Sequence, residues 1–565
     1  MKFKKNALLK VRIEETNMLG FGVAKIDGVV VFIQNGVEGD LCEIKIIKCA
    51  KNYSIARIEH LIEPSDKRCS PLCDHFRRCG GCSFQHVSYE YEKELKLKSV
   101  QGFLLKEGLA DLDVLPVVST DVLEGYRNKA QFPVAMDEAG KVFFGFYAPK
   151  THKVCPLEEC SIQNPIFTSI AKSVCEYLTE HRIPAYCETD GSGLVRHIYL
   201  RIAQKTGQVM LCLVLKANAF PDEKAFAAEI SSQFSEISSI CINIQPENTN
   251  VILGKQTICI YGSEKITDEF CERNLLISPL SFYQVNHDAA EILYKTAFNM
   301  ANLDQYDHII DLYCGIGSIS LSAHSKCPIT GVEIIPEAVE DAKNNALLNG
   351  VHHANYICGD ATDAFEFIHE LGAEKPLLIV DPPRKGLTKE LIIEISKHNI
   401  GSVLYISCGP DTFARDLAIF RRLGYEISSV QPVDLFPRTS HIENIAVLHR
   451  KSVCHFMNLD SEPFRMMKNG QKTIELRLND DKRKNLQIGD KIVFENRCSG
   501  ETLCVEVKAL HLFSSFEELY QNLSLLKCGY SDENVLSASH EDMKQYYSTE
   551  DEEKFGVVGI EFVLI

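Results

Sequence analysis

Near the start of the chain, apolar and polar residues alternate in five short runs, 8–13, 20–24, 29–33, 42–47 and 54–59, separated by glycines. Period-two patterning in runs this short predicts strands, and five in close succession predict a small OB-like barrel whose face suits oligonucleotides. Residues 126–271 read as strands interrupted by two helical stretches, 164–181 and 222–234. Within that β-rich region 193–201 alternates cleanly, which predicts a strand with basic residues on one face. Arg196 and Arg201, with Arg127 and Lys129, are therefore candidate phosphate clamps, although charged strand faces are usually only solvated. An amphipathic helix is expected over 289–300, and after 455 the pattern changes to a helix over 464–470 and strands over 472–477 and 489–494.

Between these regions, apolar runs end one after another in polar residues. His308 to Asp311 runs into Tyr313-Cys314-Gly315-Ile316-Gly317-Ser318, Thr330 to Glu333 ends on a carboxylate, and Leu377 to Val380 ends in Asp381-Pro382-Pro383-Arg384. A fourth run, Val403 to Ile406, ends in Ser407-Cys408-Gly409-Pro410. In an open α/β sheet ligands bind outside the carboxyl ends of the strands, so four such ends converge on one crevice. There Cys408 is placed as a nucleophile, the Gly315-x-Gly317 turn lets backbone approach a ligand, and Glu333 can accept hydrogen bonds from ribose hydroxyls. The glycine pair fits NAD as well as S-adenosylmethionine, but the whole wording, with Asp381-Pro382-Pro383 further on, favours the methyl donor.

Composition narrows the class. A chain of 565 residues is too long for one core, and a length prior gives three or four domains. The basic start, Met1-Lys2-Phe3-Lys4-Lys5, is not followed by a signal-peptide core, and no apolar run approaches a membrane span, so a cytoplasmic protein without a membrane partner is expected. In that compartment the 22 Cys are core residues, nucleophile or metal ligands, not disulfides. A net charge of −17 argues against nonspecific coating of nucleic acid, whereas residues 1–60 carry ten Lys/Arg against seven Asp/Glu. RNA would be gripped locally. Cys73, Cys79 and Cys82 lie close enough to converge on one centre, with Cys155 or Cys160 as the fourth ligand, and spacing alone fits zinc and iron–sulfur equally.

Taken together, Tyr313-Cys314-Gly315-Ile316-Gly317, Asp381-Pro382-Pro383-Arg384-Lys385-Gly386, Ser407-Cys408-Gly409-Pro410 and Phe436-Pro437-Arg438-Thr439-Ser440-His441-Ile442-Glu443 resemble the RNA uracil-C5-methyltransferase family in order and spacing. The resemblance covers roughly residues 1–450. It implies S-adenosyl-L-methionine as cofactor, Cys408 and Glu443 as catalytic pair, and contacts to the donor from Gln284, Tyr313, Gly315, Gly317, Ser318, Glu333 and Asp381. Asn17 to Ala24 and Val37-Glu38-Gly39-Asp40 resemble the TRAM domain, which implies RNA delivery with Phe21 as a stacking face. The family's Cys-x5-Cys-x2-Cys with a distant Cys implies a 4Fe-4S cluster on Cys73, Cys79, Cys82 and Cys160, leaving Cys69 and Cys155 as extras. TRAM plus cluster resembles the branch that acts on 23S rRNA, with tRNA the alternative. Residues after 455 resemble an ASCH domain, a PUA-like barrel, with Lys472, Glu475 and Arg477 in its cleft.

The expected architecture is therefore a multidomain α/β chain, gripping RNA at several points and acting as a monomer. Its segments are a TRAM barrel over 1–62, an iron–sulfur region over 63–110 and 155–165, a central β-rich domain over 111–275, a Rossmann-like class I methyltransferase domain over 276–450, and an ASCH domain over 455–565. Because C5 of uracil is a poor nucleophile, the chemistry needs a thiolate to add at C6 and a base to remove the C5 proton after methyl transfer. The target base must leave its stack to reach such a site. An amino-methylating enzyme would carry an aromatic residue after the two prolines, where this chain has Arg384. A noncatalytic iron–sulfur RNA-binding protein has no need of Cys408 with Glu443.

Overall fold

The computed structural model describes residues 3–368, 371–398 and 400–565, so Met1 and Lys2 of the basic start lie outside the described residues. The chain divides into two compact units, one running to His449 apart from 396–399 and 422–426, the other comprising those two segments and 450–565. Among the described residues, no helix is long and apolar enough to cross a membrane.

The first unit starts with a six-stranded sheet ordered Leu8–Arg12, Leu41–Cys49, Tyr53–Glu63, Val29–Gln34, Phe21–Ile26, Glu15–Thr16. Ile13 donates its N–H to Asp40 and Glu14 donates to Val23, so the chain between the first and last strands of that order closes the sheet into a barrel. Period two holds: Cys42, Ile44 and Ile46 alternate inward onto Val11, Ile13, Val31 and Ile33. After it, the helix Tyr89–Lys106 is capped by Ser88, whose side chain accepts from the Tyr91 N–H, and carries Glu90 and Glu92 in its first turn.

A seven-stranded sheet forms the central part, with the helices Pro165–Glu180 and Glu223–Gln233 capped by Asn164 and Asp222. Here one expectation is overturned. Val195–Ile202 is not a half-solvated strand but an interior one, paired with Lys129–Met136 and Val209–Leu215 and buried on both faces. Arg196 donates to the carbonyls of Gln245 and Glu247, and Arg201 to those of Ser278 and Ser281. Both guanidinium groups are buried and tied to backbone acceptors, because a buried charge must be hydrogen-bonded, so neither is free to act as a phosphate clamp.

The last sheet of this unit is eight-stranded, ordered Ala354–Cys358, Ile329–Glu333, His308–Leu312, Pro376–Val380, Ser402–Ser407, Glu443–Arg450, Tyr425–Asp434, Val118–Ser119. Its first five strands are parallel, so their carboxyl ends share one edge. Glu443–Arg450 runs antiparallel to Ser402–Ser407, which brings its amino end to that same edge. The second unit has a five-stranded sheet, Cys454–Leu459, Lys491–Asn496, Thr502–Phe513, Val557–Leu564, Ile474–Leu478, around a core of Phe464, Met467, Ile492, Phe494 and Phe562. The molecule is thus a multidomain α/β protein with a small β-barrel at one end of the chain and a β-rich domain at the other.

Candidate active site

Each strand end at the shared edge places one side chain or turn. After His308–Leu312 the backbone turns through Tyr313 at φ +68°, Gly315 at +53° and Gly317 at +79°, all in the left-handed region. A Cβ on Gly317 would sit 2.8 Å from the Tyr356 hydroxyl, so the turn is tight as well as left-handed. The Glu333 carboxylate accepts from the N–H groups of Gly315 and Ile335 at 3.2 and 3.0 Å, which fixes it beneath the turn while leaving acceptor positions on both oxygens. Gln284 is buried on the approach to the helix His287–Ala301, and its carbonyl accepts from Asn128 Nδ2. The buried Tyr294 hydroxyl is hydrogen-bonded with the side chains of Gln284 and Ser318, so one phenol joins two of the expected cofactor contacts. Sequence reasoning missed Tyr294, which reads there as one more apolar position of an amphipathic helix.

Cys408 and Glu443 meet across neighbouring strands, since Ser407 pairs with Asn444 and the Asn444 amide donates to the Ser407 carbonyl. The thiol sits where Ser402–Ser407 gives way to the helix Pro410–Arg422; a Cβ on Gly409 would lie 2.7 Å from Thr412 Oγ1, so that turn admits only glycine without rearrangement. Burial pushes the Cys408 thiol up to about 11, and the carboxylates of Glu443 and Asp381 push the same way, against Arg384. Burial likewise holds Glu443 well above the ordinary carboxylate range, helped by Asp381 and opposed by Arg384. Asp381 is raised by burial and then by the charge of Asp311, itself pushed up to about 7 by burial. Among the described residues, the carboxylate of Asp381 and the cation Arg384 act in opposite directions on both members of the reactive pair. The Arg384 guanidinium lies 3.3 Å from Nε2 of His441, whose ring burial holds it neutral near 4.

The loop that leads into Glu443 is clamped. Arg438 sits at φ +69°, and its carbonyl accepts from the N–H groups of Ser83 and Phe84. Its own N–H donates to Glu92 at 2.7 Å. Lys96, fully buried, donates to Glu92 at 2.8 Å, to Asp434 at 2.8 Å and to the Phe436 carbonyl at 3.2 Å. Tyr126 donates to the Pro437 carbonyl at 2.9 Å.

Cys73, Cys79, Cys82 and Cys160 line one cavity of about 70 Å³ together with Arg127, while neither Cys69 nor Cys155 lines it. Cys69 Sγ instead points at the Val87 carbonyl, 3.0 Å away. Burial pushes Cys82 up to about 12 and Cys79 up to about 11, and raises Cys160. Polar N–H groups nevertheless face the sulfurs: Gly81 N–H toward Cys79, the Gln85 amide toward Cys82, and the N–H groups of Ile162 and Gln163 toward Cys160. Donors aimed at sulfur suit thiolates bound to a cationic centre. Among the described residues, no group of three or more His, Cys, Asp or Glu is drawn together as for a single metal ion.

Residues 91–451 match the family model tRNA (Uracil-5-)-methyltransferase, residues 2–58 the TRAM domain and residues 457–565 the ASCH domain. An uncharacterized RNA methyltransferase of Bacillus cereus is 40% identical over 452 residues, covering 79% of this chain and 97% of that relative. Another, of Clostridium tetani, is 37% identical over 446 residues, covering 79% and 97%. The crystal structure of the Pyrococcus abyssi tRNA (uracil-54, C5)-methyltransferase in complex with S-adenosyl-L-homocysteine aligns with a TM-score of 0.63 at 26% identity, covering 78% of this chain and 99% of that one. With a family model spanning more than half of its length and relatives this similar, the chain belongs to the tRNA (uracil-5-)-methyltransferase family of RNA methyltransferases, extended by a TRAM domain and an ASCH domain.

Proposed function

We propose that this enzyme methylates C5 of one uridine in 23S rRNA, with Cys408 as nucleophile and Glu443 as base. The observation that carries the reading is the position of those two side chains at adjacent ends of antiparallel strands, within the influence of Asp381 and Arg384. S-Adenosylmethionine, bound along Gln284, Tyr313, Gly315, Gly317, Ser318, Glu333 and Asp381, supplies an electrophilic methyl group. Cys408, as its thiolate, adds through Sγ to C6 of the uracil, and the displaced π electrons become an enolate; its C5 attacks that methyl while the methyl–sulfur bond breaks and S-adenosylhomocysteine is left as the leaving group. Glu443 then takes the C5 proton, and the returning electrons break the S–C6 bond, freeing the thiolate. Arg384 opposes the carboxylates around the thiol and so favours the thiolate and the enolate alike.

Within the family, ribosomal RNA is favoured by the TRAM domain and by the thiol cavity, in which Cys73, Cys79, Cys82 and Cys160 would hold a 4Fe-4S cluster as a structural staple. A tRNA substrate is the second reading, favoured by the description of the family model and by the substrate named for the Pyrococcus abyssi enzyme. Mass spectrometry of rRNA and tRNA from a strain lacking the protein separates the two. Loss of a 5-methyluridine from 23S rRNA alone, restored by wild type and not by Cys408→Ala, is expected. Loss from tRNA alone would move the substrate to tRNA, and no loss from either would overturn the function.

A further inference from the structure

A row of thiols crosses the central seven-stranded sheet. Tyr199 pairs with Cys212 across antiparallel strands, Cys212 with Cys241 across parallel ones, and Cys241 with Cys259 across antiparallel ones. The row lies on one face, where Tyr199, Cys212, Val214 and Cys241 pack with Ile252, Leu253 and Cys259. Leu211, Leu213, Ile240 and Ile242, which alternate with them, pack on the other face with Phe167 and Phe226 of the two helices. Exposure rises along the row toward the edge of the sheet. Gln256–Gly262 is the last strand of the seven, and Cys259 is half-buried on it, whereas Cys212 and Cys241 are buried.

Reach decides which pair can join. Residues directly opposite in an antiparallel pair hold their Cβ atoms about 4.5–5.5 Å apart, and a disulfide needs about 3.5–4.5 Å, so a shift of roughly 1 Å suffices. An edge strand can supply it. Gln256–Gly262 pairs with a neighbour on one side only, and its register against Ile237–Ile244 slips between Ile240 and Cys241, leaving Ile260 as an extra residue where the strand bends. The Cys241 and Cys259 side chains are hydrogen-bonded to each other, and Ser239 Oγ lies 3.5 Å from Cys241 Sγ. Cys212 is held differently, because its strand is paired on both sides and its side chain is wholly buried. Burial also pushes the Cys241 thiol up to about 11, so the thiol that solvent reaches, Cys259, is the one placed to react first.

We infer that Cys241 and Cys259 are an oxidation site for hydrogen peroxide, closing into a cross-strand disulfide that starts from Cys259. The Cys259 thiolate attacks one peroxide oxygen, the O–O bond breaks, and hydroxide leaves while a sulfenic acid stays on Cys259. Cys241 gives up its proton and attacks the Cys259 sulfur; the S–O bond breaks, and the departing hydroxide takes that proton as water. Two thiols have then lost two electrons, and the peroxide has become two waters. Neither thiol lines the cavity of Cys73, Cys79, Cys82 and Cys160, and the inference does not rest on the methyl transfer proposed above.

Peroxide treatment of the full-length protein tests it, followed by capping of the remaining thiols with iodoacetamide in denaturant, digestion without reduction and mass spectrometry. The expected product joins the peptides of Cys241 and Cys259, two hydrogen masses lighter than their sum, and dithiothreitol separates it. Cys241→Ser should lose the joined pair and leave a sulfenic acid on Cys259 that dimedone traps. Cys259→Ser, on the edge strand, should leave Cys241 as a free thiol. Should Cys241→Ser fail to fold, wild type and Cys259→Ser decide. Recovery from wild type of both thiols capped, of Cys259 as sulfinic acid without the joined peptides, or of Cys241 joined to Cys212 would overturn the inference.

Discussion

At the scale of single residues, Cys408 and Glu443 separate by what each step leaves behind. Cys408→Ala removes the nucleophile, so neither methylated RNA nor a covalent adduct should form. Glu443→Gln keeps the nucleophile but cannot accept the C5 proton, so methylated uridine should stay bonded to Cys408. A denaturation-resistant protein–RNA band carrying label from the methyl donor is the expected signature, with turnover reduced on the order of a hundredfold to ten-thousandfold. Normal turnover by Glu443→Gln would remove it from the mechanism. The charges around the pair set its pH dependence. Both groups act in their deprotonated forms, and burial raises both, so the rate should climb as pH rises through and above neutrality. Arg384 pulls both back down, hence Arg384→Gln should displace the rising limb to higher pH, with much of the lost rate recovered by raising pH. An unshifted limb with a uniformly lower rate would assign Arg384 to RNA binding instead.

At the scale of elements, the four strand ends are legible because a parallel strand spends its side chains on the core until it leaves the sheet, and the residues just beyond that point are free to be chemical. Cys408, Asp381 and Glu333 announce themselves in that way. The helix Tyr89–Lys106 does not. Its buried face mixes Tyr91, Leu95, Val100 and Leu104 with Glu92 and Lys96, so a salt bridge at i, i+4 interrupts the apolar stripe that marks a helix in sequence. Arg196 and Arg201 mislead for the same reason, since local alternation cannot reveal that distant carbonyls await them. Yet this hidden pairing is what holds the loop before Glu443. Lys96→Met would leave Asp434 buried without its cation and Glu92 with only the Arg438 guanidinium, 3.7 Å away, and removal of one partner from such a network costs about 3–5 kcal/mol. Urea unfolding should show that loss. The double variant Lys96→Met with Asp434→Asn should regain part of it, because one uncompensated charge is gone, and a single variant as stable as wild type would deny the clamp its role.

At the scale of the whole molecule, the balance of −17 against a locally basic start fits an enzyme that grips RNA at chosen points. Within the first unit, one short segment ties the thiol cavity to the catalytic crevice. Arg127 lines the cavity and exchanges backbone hydrogen bonds with the segment beside Cys160, donating to Ile162 and accepting from Asn164. The next residue, Asn128, donates its N–H to Val285 and its side chain to the Gln284 carbonyl, and Tyr126 donates to Pro437 in the loop before Glu443. Whatever fills the cavity would therefore act through one short segment on the residues expected to hold the methyl donor and the base. If that is a 4Fe-4S cluster, anaerobically purified protein should be brown and carry iron and sulfide near four each per chain. Cys82→Ser should lose the colour and, by loosening the segment at Arg127, lower turnover although no thiol of the cavity belongs to the proposed catalytic pair. Cys155→Ser should keep both, since Cys155 does not line the cavity. A colourless wild type with one zinc would replace the cluster by a single ion, and a Cys82→Ser enzyme that is iron-free yet fully active would uncouple the cavity from the crevice.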